Sequence, residues 1–203
     1  MVRFSILFKN ENLSKIIEFF LQNPSVELNQ TELGRKLKMS KMTIIKWLSF
    51  LAKKEIINIK KMEVSNLCSL NKGKPLVKQL KILNNLMDVE ELEDKFRDLS
   101  VNIQIYMYGS AARGEDVEDS DVDLLVVSDY LNSGGRAVSK KRPREVAGDR
   151  IISEIGELSK KIRREIKPVF FTSSEWINME KNDKAFYERV EKDKIEILKL
   201  RWI

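Results

Sequence analysis

The sequence predicts an α/β (α+β) protein with a helix-rich N-terminal part and a C-terminal part that combines strands with helices. Apolar residues recur at helical spacing through the N-terminal third, whereas later runs of β-branched and aromatic residues are typical of strands. The charge is unevenly divided, because residues 1–72 hold 13 Lys and Arg against 6 Asp and Glu, while the remainder holds 24 against 25. We therefore predict two domains, at residues 1–72 and 99–203, joined by a helical connector at 73–98.

Composition limits the classes of protein to which the chain can belong. Its 203 residues, 42% of them hydrophobic, are sufficient for globular cores. No apolar run approaches the roughly 20 residues that a membrane span needs, and the first ten residues lack the length and cleavage site of a signal peptide. The single cysteine, Cys68, excludes an internal disulfide, and the absence of histidine argues against a structural zinc site. We expect a cytoplasmic protein without a membrane partner.

Three helices are predicted in the first domain. The first helix carries apolar residues at helical spacing and ends at Pro24. Asn29 and Glu32 offer capping side chains for the second helix. A tight turn then leads to Ser40, which is a favoured residue at the N-cap of a third helix.

The third helix has two different faces, and a pair of strands follows it. The apolar face consists of Ile44, Trp47, Leu48, Leu51 and Ala52. The opposite face includes Lys41, Met42, Ile45 and Lys46. Strands are predicted at residues 56–59 and 64–70, with residues 60–63 as the turn between them.

The stretch TELGRKLKMSKMTIIKWLSFLAKKEII and the hairpin after it resemble a winged helix-turn-helix domain over roughly residues 10–72. In that family the third helix enters the major groove of DNA and the hairpin, or wing, touches the DNA backbone. The resemblance and the local basic excess imply DNA as a partner. The implied DNA-contacting residues are Ser40, Lys41, Met42, Ile45, Lys46, Lys60 and Lys61. Glu55 departs from the family, which often has glycine before the wing strand; the alternative interpretation is a helical packing or protein-binding module with a solvated lysine face.

Helices and strands are interspersed through the rest of the chain. Helices are predicted at residues 76–87, 89–98, 111–114, 146–164 and 185–191. Strands are predicted at residues 101–108, 121–127, 166–171 and 195–200. The segment 129–144 is basic and contains Gly134-Gly135, so it either closes over an acidic ligand or forms a surface loop.

One motif in this part has a chemical meaning. Gly109-Ser110 ends the first strand, and Asp121 and Asp123 begin the second strand, where residues two apart share a face. Two carboxylates on one face repel each other unless a cation joins them, and hard oxygen ligands suit Mg²⁺. Glycine lets a phosphate approach the backbone, the Ser110 hydroxyl adds a donor, and Arg113 adds a second positive charge. The pattern therefore predicts metal-assisted binding of a nucleotide.

Gly-Ser, ten residues and then Asp-x-Asp together resemble the nucleotidyltransferase superfamily that includes DNA polymerase β, and in particular its minimal members. The resemblance implies a mixed β-sheet packed by helices, two Mg²⁺ ions and a nucleoside triphosphate, with ATP expected. It implies that Asp121 and Asp123 are catalytic metal ligands and that Gly109, Ser110 and Arg113 bind the nucleotide.

The sequence departs from this family at the third metal-binding carboxylate, which the family has on a later strand. The strand predicted at residues 166–171 contains no acid, and Lys167 and Pro168 lie where the acid is expected. Glu165 precedes the strand and Glu175 follows it, and neither has the expected spacing. Whether the domain is an enzyme is therefore left open by the sequence.

Two functional hypotheses follow. The first is a Mg²⁺-dependent nucleotidyltransferase that moves a nucleoside monophosphate onto a hydroxyl of a small molecule or of a toxin-like protein partner, with a domain that targets it to DNA. The second is a DNA-binding transcriptional regulator whose second domain binds a nucleotide, or pairs subunits into a homodimer, without catalysis.

Overall fold

The computed structural model describes residues 9–63, 65–97, 102–129 and 142–200. The chain divides into two compact units, Val2–Asn84 and Asn85–Ile203. The division falls inside one helix, Pro75–Val89, within the stretch that the sequence predicts as a connector. Among the described residues, no helix is both long enough and apolar enough to span a membrane.

In the part of the first unit that the structure describes, three helices and the start of a fourth combine with a small antiparallel sheet. The helices are α1 (Glu11–Gln22), α2 (Gln30–Leu37) and α3 (Lys41–Lys53). The strands are β1 (Glu27–Asn29), β2 (Ile57–Lys61) and β3 (Asn66–Leu70), and their order in the sheet is β1-β3-β2. Strand β1 was not predicted from the sequence, because a three-residue strand gives too short a pattern to recognise.

Side-chain caps fix where these helices begin. Asn29 accepts hydrogen bonds from the backbone N–H groups of Thr31 and Glu32, while the Glu32 carboxylate accepts from the Asn29 N–H, which completes a capping box. The Ser40 hydroxyl accepts from the Thr43 N–H at 3.2 Å, so the predicted N-cap of α3 is confirmed. Apolar side chains of all three helices are buried together, including Ile16, Phe20, Leu33, Ile44 and Leu48.

The hairpin differs from the prediction in the position of its turn. Lys60 and Lys61 lie on strand β2, opposite Leu67 and Asn66, rather than in the turn. The turn is formed two residues later, where the Met62 N–H donates to the Ser65 carbonyl at 3.1 Å. The strand extends further because cross-strand pairing, which single-strand propensity does not contain, continues through both lysines.

Glu55 occupies the position at which the resemblance predicts glycine. Its φ angle is +57°, in the left-handed region that glycine adopts most easily. The Glu55 carboxylate forms an ion pair with Lys74, and the Asn71 side chain donates to the Glu55 carbonyl. These contacts hold a non-glycine residue in the conformation that the turn before β2 requires.

The second unit contains a four-stranded mixed sheet packed by helices on both faces. Its helices are the end of α4 (Pro75–Val89), α5 (Glu91–Phe96), α6 (Gly109–Arg113), α7 (Arg142–Ile162), α8 (Ser173–Asn182) and α9 (Lys184–Asp193). Its strands are β4 (Ile103–Tyr108), β5 (Val122–Ser128), β6 (Ile166–Phe171) and β7 (Ile195–Leu200). The order is β6-β5-β4-β7, with β5 and β6 parallel and the other pairs antiparallel. The predicted α/β class is confirmed.

The alternation of side chains along β5 separates the core from a second, more polar face. Val122, Leu124 and Val126 lie in the core beneath α5 and α7. Leu125 and Val127 face the other way, towards a smaller aromatic cluster built with α8 and α9. Helix α8 was missed in the sequence, although the Thr172 and Glu175 capping box at its start is a recognisable signal.

Candidate functional site

The two halves of the predicted motif meet at one edge of the sheet. Strand β4 ends at Tyr108, which lies opposite Asp123 in the antiparallel pair with β5. Helix α6 starts at Gly109 immediately after that pair and ends at Gly114, whose φ angle of +64° makes it the predicted C-terminal stop. The register of β4 and β5 therefore places the Gly-Ser turn beside the Asp-x-Asp strand.

Gly109 is required at its position for two reasons. Its φ angle is +73°, and a Cβ atom added there would lie 2.5 Å from the Oδ2 atom of Asp123. Any side chain at this position would therefore collide with the Asp123 carboxylate as well as strain the backbone. The missing side chain leaves space in which the carboxylate rests against the turn, so the turn and the acid form one site.

Asp121 and Asp123 lie on the face of the sheet that α8 and α9 cover. The pKa of Asp123 is raised above its usual value, first by partial burial and then by the negative charge of Asp121. The positive charges of Lys167, Arg189 and Arg113 oppose this rise. Two carboxylates that disfavour each other's charge form a place where an added cation is stabilising.

Strand β6 brings a lysine to this acid pair. Lys167 lies opposite Asp123 in the parallel pairing with β5, and its Nζ atom is 2.5 Å from the Oδ2 atom of Asp121. The hydrogen bond to Asp121, followed by that carboxylate's charge and by Glu165, raises the pKa of Lys167 above its usual value. The side chain that faces the acids from β6 is therefore a cation, as the sequence position suggested.

Neither acid considered as a third ligand completes a carboxylate cluster. Glu165 is exposed, and its backbone carbonyl accepts from the Val122 N–H. Glu175 is not in a loop but in the first turn of α8, where its carboxylate accepts from the Thr172 N–H at 2.7 Å. Among the described residues, no group of three or more acidic or other metal-binding side chains could hold a metal ion.

Arg113 has partners that the sequence did not reveal. Its Nε atom donates to Glu115 at 2.9 Å, and its Nη1 atom donates to Asp193 of α9. Because Asp193 is only 11% exposed, this ion pair fastens α9 to α6 beside the Gly-Ser turn. Arg113 contributes positive charge near Asp123, but its hydrogen bonds in this structure are to carboxylates.

Helix α9 also supplies a cation that the sequence did not single out. Phe186, Arg189, Val190 and Asp193 follow helical spacing along the side of α9 that faces the site. The Phe186 ring packs edge-on against Tyr108, and the Arg189 guanidinium carbon lies 5.3 Å from the Phe186 ring centroid. Only the packing of α9 brings Arg189 near Asp123, because 65 positions separate them in the sequence.

A buried polar network anchors the loop between the two halves of the motif. Arg164 donates to Asn85 at 2.8 Å, to Asp116 at 3.2 Å and to the carbonyl of Ser120. Asn85 in turn donates to Asp116 and to the carbonyl of Ala111. These bonds fix the loop that sets the distance between Gly109 and the acid pair. Local sequence patterns could not indicate these bonds, because the partners lie 26 to 79 positions apart.

Comparison with known proteins agrees with this geometry. The sequence profile of the nucleotidyltransferase domain family matches residues 89–199, more than half of the chain. The chain belongs to this nucleotidyltransferase family. Its members generally use a nucleoside triphosphate and a divalent metal.

The chain was also compared with solved structures and with curated proteins. A solved structure from Sulfolobus solfataricus, described as a "putative nucleotidyltransferase", is 21% identical, with a TM-score of 0.35, and the match covers 63% of this chain and 91% of that chain. No curated protein matches the chain significantly.

The donor set at this candidate site would suit one divalent ion better than two. Asp121 and Asp123 present carboxylate oxygens on one face, and Mg²⁺ in nucleotide sites is commonly held by one or two carboxylates together with phosphate oxygens. Partial burial, and then the charge of Asp121, raises the pKa of Asp123, so a bound cation would stabilise the charged carboxylate. Lys167 already occupies one oxygen of Asp121, and no third carboxylate among the described residues would share a second ion.

The predicted DNA-contacting residues lie in the first unit, before the family match begins. Lys41, Met42, Lys46, Lys60 and Lys61 are exposed, with Met42 75% exposed, and Ile45 is partly buried. Ser40 caps α3 and shares a hydrogen bond with the Thr43 hydroxyl. A cleft of about 310 Å³ opens between the start of α2, Lys41 and the hairpin tip, and its lining is mainly polar.

One sequence prediction concerns residues that the structure does not describe. Of the basic segment 129–144, residues 130–141 lie outside the described part of the chain. Asp129, at its start, accepts a hydrogen bond from the Ser173 N–H at 3.0 Å. Its role near a triphosphate therefore stays a prediction.

Proposed function

We propose that the chain is a Mg²⁺-dependent nucleotidyltransferase that carries its own DNA-binding domain. The observation that carries this proposal is the contact of the Asp123 carboxylate with the left-handed turn at Gly109, inside the span that matches the family. That contact joins a phosphate-accommodating turn to a pair of same-face carboxylates.

Each residue of the site has a distinct role in this proposal. Asp121 and Asp123 would hold Mg²⁺, which draws negative charge from the triphosphate and orients it. The absence of a side chain at Gly109 admits the phosphates, and the Ser110 hydroxyl donates to them. In the transfer, an acceptor hydroxyl oxygen would bond to the α-phosphorus, pyrophosphate would leave with the electron pair of the broken P–O bond, and the hydroxyl proton would pass to solvent water.

We propose ATP as the nucleotide and a hydroxyl of a protein partner as the acceptor. The test is to incubate the full chain with α-labelled ATP, Mg²⁺ and an extract of its host cells, and to follow label on protein together with release of pyrophosphate. The expected result is labelling that is lost when Asp121→Asn and Asp123→Asn are combined. Labelling by the double variant at the wild-type rate would contradict the proposal.

A second candidate function is supported by Lys167. An ammonium group on Asp121, at the strand position where an enzyme of this family would have an acid, favours nucleotide binding without transfer. The chain would then be a DNA-binding regulator whose second unit senses a nucleotide. Tight binding of Mg²⁺–ATP without any pyrophosphate release, together with an ATP-dependent change in DNA affinity, would support the regulator over the enzyme.

We propose that the first unit is a winged helix that binds duplex DNA. The sequence of three helices closed by a hairpin supports this assignment, as do the exposed lysines on α3 and β2. Lys41 and Lys46 at the exposed side of α3 would contact phosphates, and Met42 would contact bases. Lys60 and Lys61, on one strand of the hairpin, would reach the DNA backbone.

The DNA-binding proposal is tested by the salt dependence of anisotropy with a labelled 30-base-pair duplex. Four lysines that neutralise phosphates predict a slope of log affinity against log salt of about −3 to −4. Combining Lys41→Gln with Lys46→Gln should reduce the magnitude of that slope by about 2. Lys15→Gln with Lys72→Gln removes the same charge from other exposed parts of the unit and should leave the slope nearly unchanged. Equal effects of the two double variants would contradict a specific surface.

A further inference from the structure

Lys167 belongs to the acid pair by its position in the sheet. Parallel pairing sets Lys167 opposite Asp123, and Val169 and Phe171, two and four residues further along β6, lie on the face that α8 and α9 cover. The backbone therefore directs the Lys167 side chain to the same face as the two carboxylates. Its Nζ atom bonds to Asp121, which is 30% exposed.

This arrangement gives the site a positive charge before any ligand arrives. A divalent ion that uses both Asp121 and Asp123 would share the Asp121 carboxylate with the Lys167 ammonium group, whose positive charge disfavours a second cation there. A nucleoside triphosphate, in contrast, brings negative charge that the ammonium group attracts. The positive charge of Lys167 therefore disfavours binding of the divalent ion and favours binding of the triphosphate.

We propose that Lys167 is a built-in counter-ion that couples metal binding to nucleotide binding. Without nucleotide, its ammonium group competes with the divalent ion for Asp121 and keeps metal affinity low. When a triphosphate binds, the ammonium group transfers from Asp121 to a phosphate, and both carboxylates become available to the metal. This inference rests on the proposed nucleotide site and adds that the metal is taken up with the nucleotide rather than before it.

The experiment measures binding of Mn²⁺, as a spectroscopic substitute for Mg²⁺, to the full chain by electron paramagnetic resonance with and without ATP. Lys167→Gln keeps a polar, though shorter, side chain and removes its charge. It should tighten Mn²⁺ binding without ATP by about three- to tenfold, the size expected for a partly exposed ion pair. It should also weaken ATP binding several-fold, so the cooperativity between the two ligands falls.

Two further variants separate this role from a merely structural one. Lys167→Arg keeps the charge and should retain the wild-type order of affinities. Lys199→Gln removes a lysine on β7, opposite Gln104 at the far end of β4, and should change neither affinity. A Lys167→Gln protein that melts at the wild-type temperature but binds Mn²⁺ no more tightly overturns the inference.

The outcomes also distinguish this inference from the proposed function. If the wild-type chain binds Mn²⁺ and ATP independently, and Lys167→Gln does the same, the counter-ion role is wrong while the nucleotide site stands. If neither protein binds ATP with or without Mn²⁺, both the site and the counter-ion role are wrong.

Discussion

The second unit contains two clusters of charged side chains that differ in how their charges are balanced. Around Arg164, the acids Asp116 and Asp88 are nearly buried, and their positive partner is part of the fold. Around Asp123, two carboxylates share a half-exposed face, and partial burial, followed by the charge of Asp121, raises the pKa of Asp123. The first cluster is balanced by a largely buried arginine, whereas Lys167, which pairs with the second cluster, is more than half exposed. This difference separates a structural network from a ligand site better than residue type does.

Removing the carboxylates of the second cluster should have the largest effect. With Asp121→Asn and Asp123→Asn combined, we expect transfer from labelled ATP to fall by about three orders of magnitude, because charge stabilisation by the metal is lost. The melting temperature should hardly change, because the variant removes the repulsion between the two acids and loses only the half-exposed ion pair of Asp121 with Lys167. A large loss of stability in this variant would mean that the second cluster is structural and would remove the contrast with the first.

Disrupting the cluster around Arg164 should instead lower the stability of the fold. Arg164→Met removes the guanidinium group that pairs with the buried Asp116 and Asp88, which should cost about 3 kcal/mol in the free energy of unfolding. Denaturant titration of the full chain measures this loss. The control is Lys160→Met, which breaks an exposed ion pair to Glu157 in α7 and should cost less than about 0.5 kcal/mol. Similar costs for the two variants would contradict the distinction between buried and exposed pairs.

The contact of Gly109 with Asp123 predicts an effect on both stability and binding. Gly109→Ala should cost about 1–2 kcal/mol through strain at positive φ, and should weaken Mg²⁺–ATP binding more than tenfold because the carboxylate is displaced. Gly156→Ala is the matched control, since a Cβ atom at that position of α7 meets nothing within 4 Å. It should raise stability by about 0.5–1 kcal/mol and leave ATP binding unchanged. Calorimetric titration measures the effect on ATP binding, and thermal melting measures the effect on stability.

A smaller effect is expected from the cation on α9. Arg189→Ala should weaken ATP binding by about tenfold, because a charge-assisted contact with phosphate is lost, and should hardly change the melting temperature. Lys184→Ala removes an exposed cation from the other end of the same helix, where it pairs with Glu188. If both variants weaken ATP binding equally, α9 acts only through its net charge, and Arg189 has no special place in the site.

The pH dependence of stability should show the smallest effect. The pKa of Asp123 is raised in the folded state, so this group favours the fold when it is protonated, and that contribution is lost as pH rises through the folded-state pKa. Asp123→Asn should therefore melt above the wild type by a few degrees at neutral pH, with the difference shrinking as pH falls towards 4. A difference that stays constant with pH would show that it does not arise from this titration.

Much of the fold could be predicted from local patterns. Periodic apolar residues indicated α1 to α3, and strands β6 and β7 were predicted with their observed bounds. Ser40 and Gly114 were predicted as helix ends because the chemistry of a cap lies within a few residues. The turn of the hairpin was misplaced by two residues, and β1 and α8 were missed, because strand pairing and the packing of short helices depend on distant partners.

The sequence by itself determined the chemical content of the site. Gly109, Ser110, Asp121 and Asp123 lie in one local strand–turn–strand unit, so their spacing alone places them together. The absence of an acid from β6 was also visible, since it is a property of composition. These features are local, and local geometry follows from the chain's own stereochemistry.

Only the tertiary structure decided what surrounds these residues. Arg113 donates a hydrogen bond to Asp193. Arg189 lies on α9, beside Phe186. The register of the parallel strands β5 and β6 brings Lys167 into contact with Asp121. Partners of this kind lie tens of residues apart, and the packing of helices on a sheet determines which of them meet. The charge balance of the site, and with it the choice between metal alone and metal with nucleotide, is therefore a property of the folded chain.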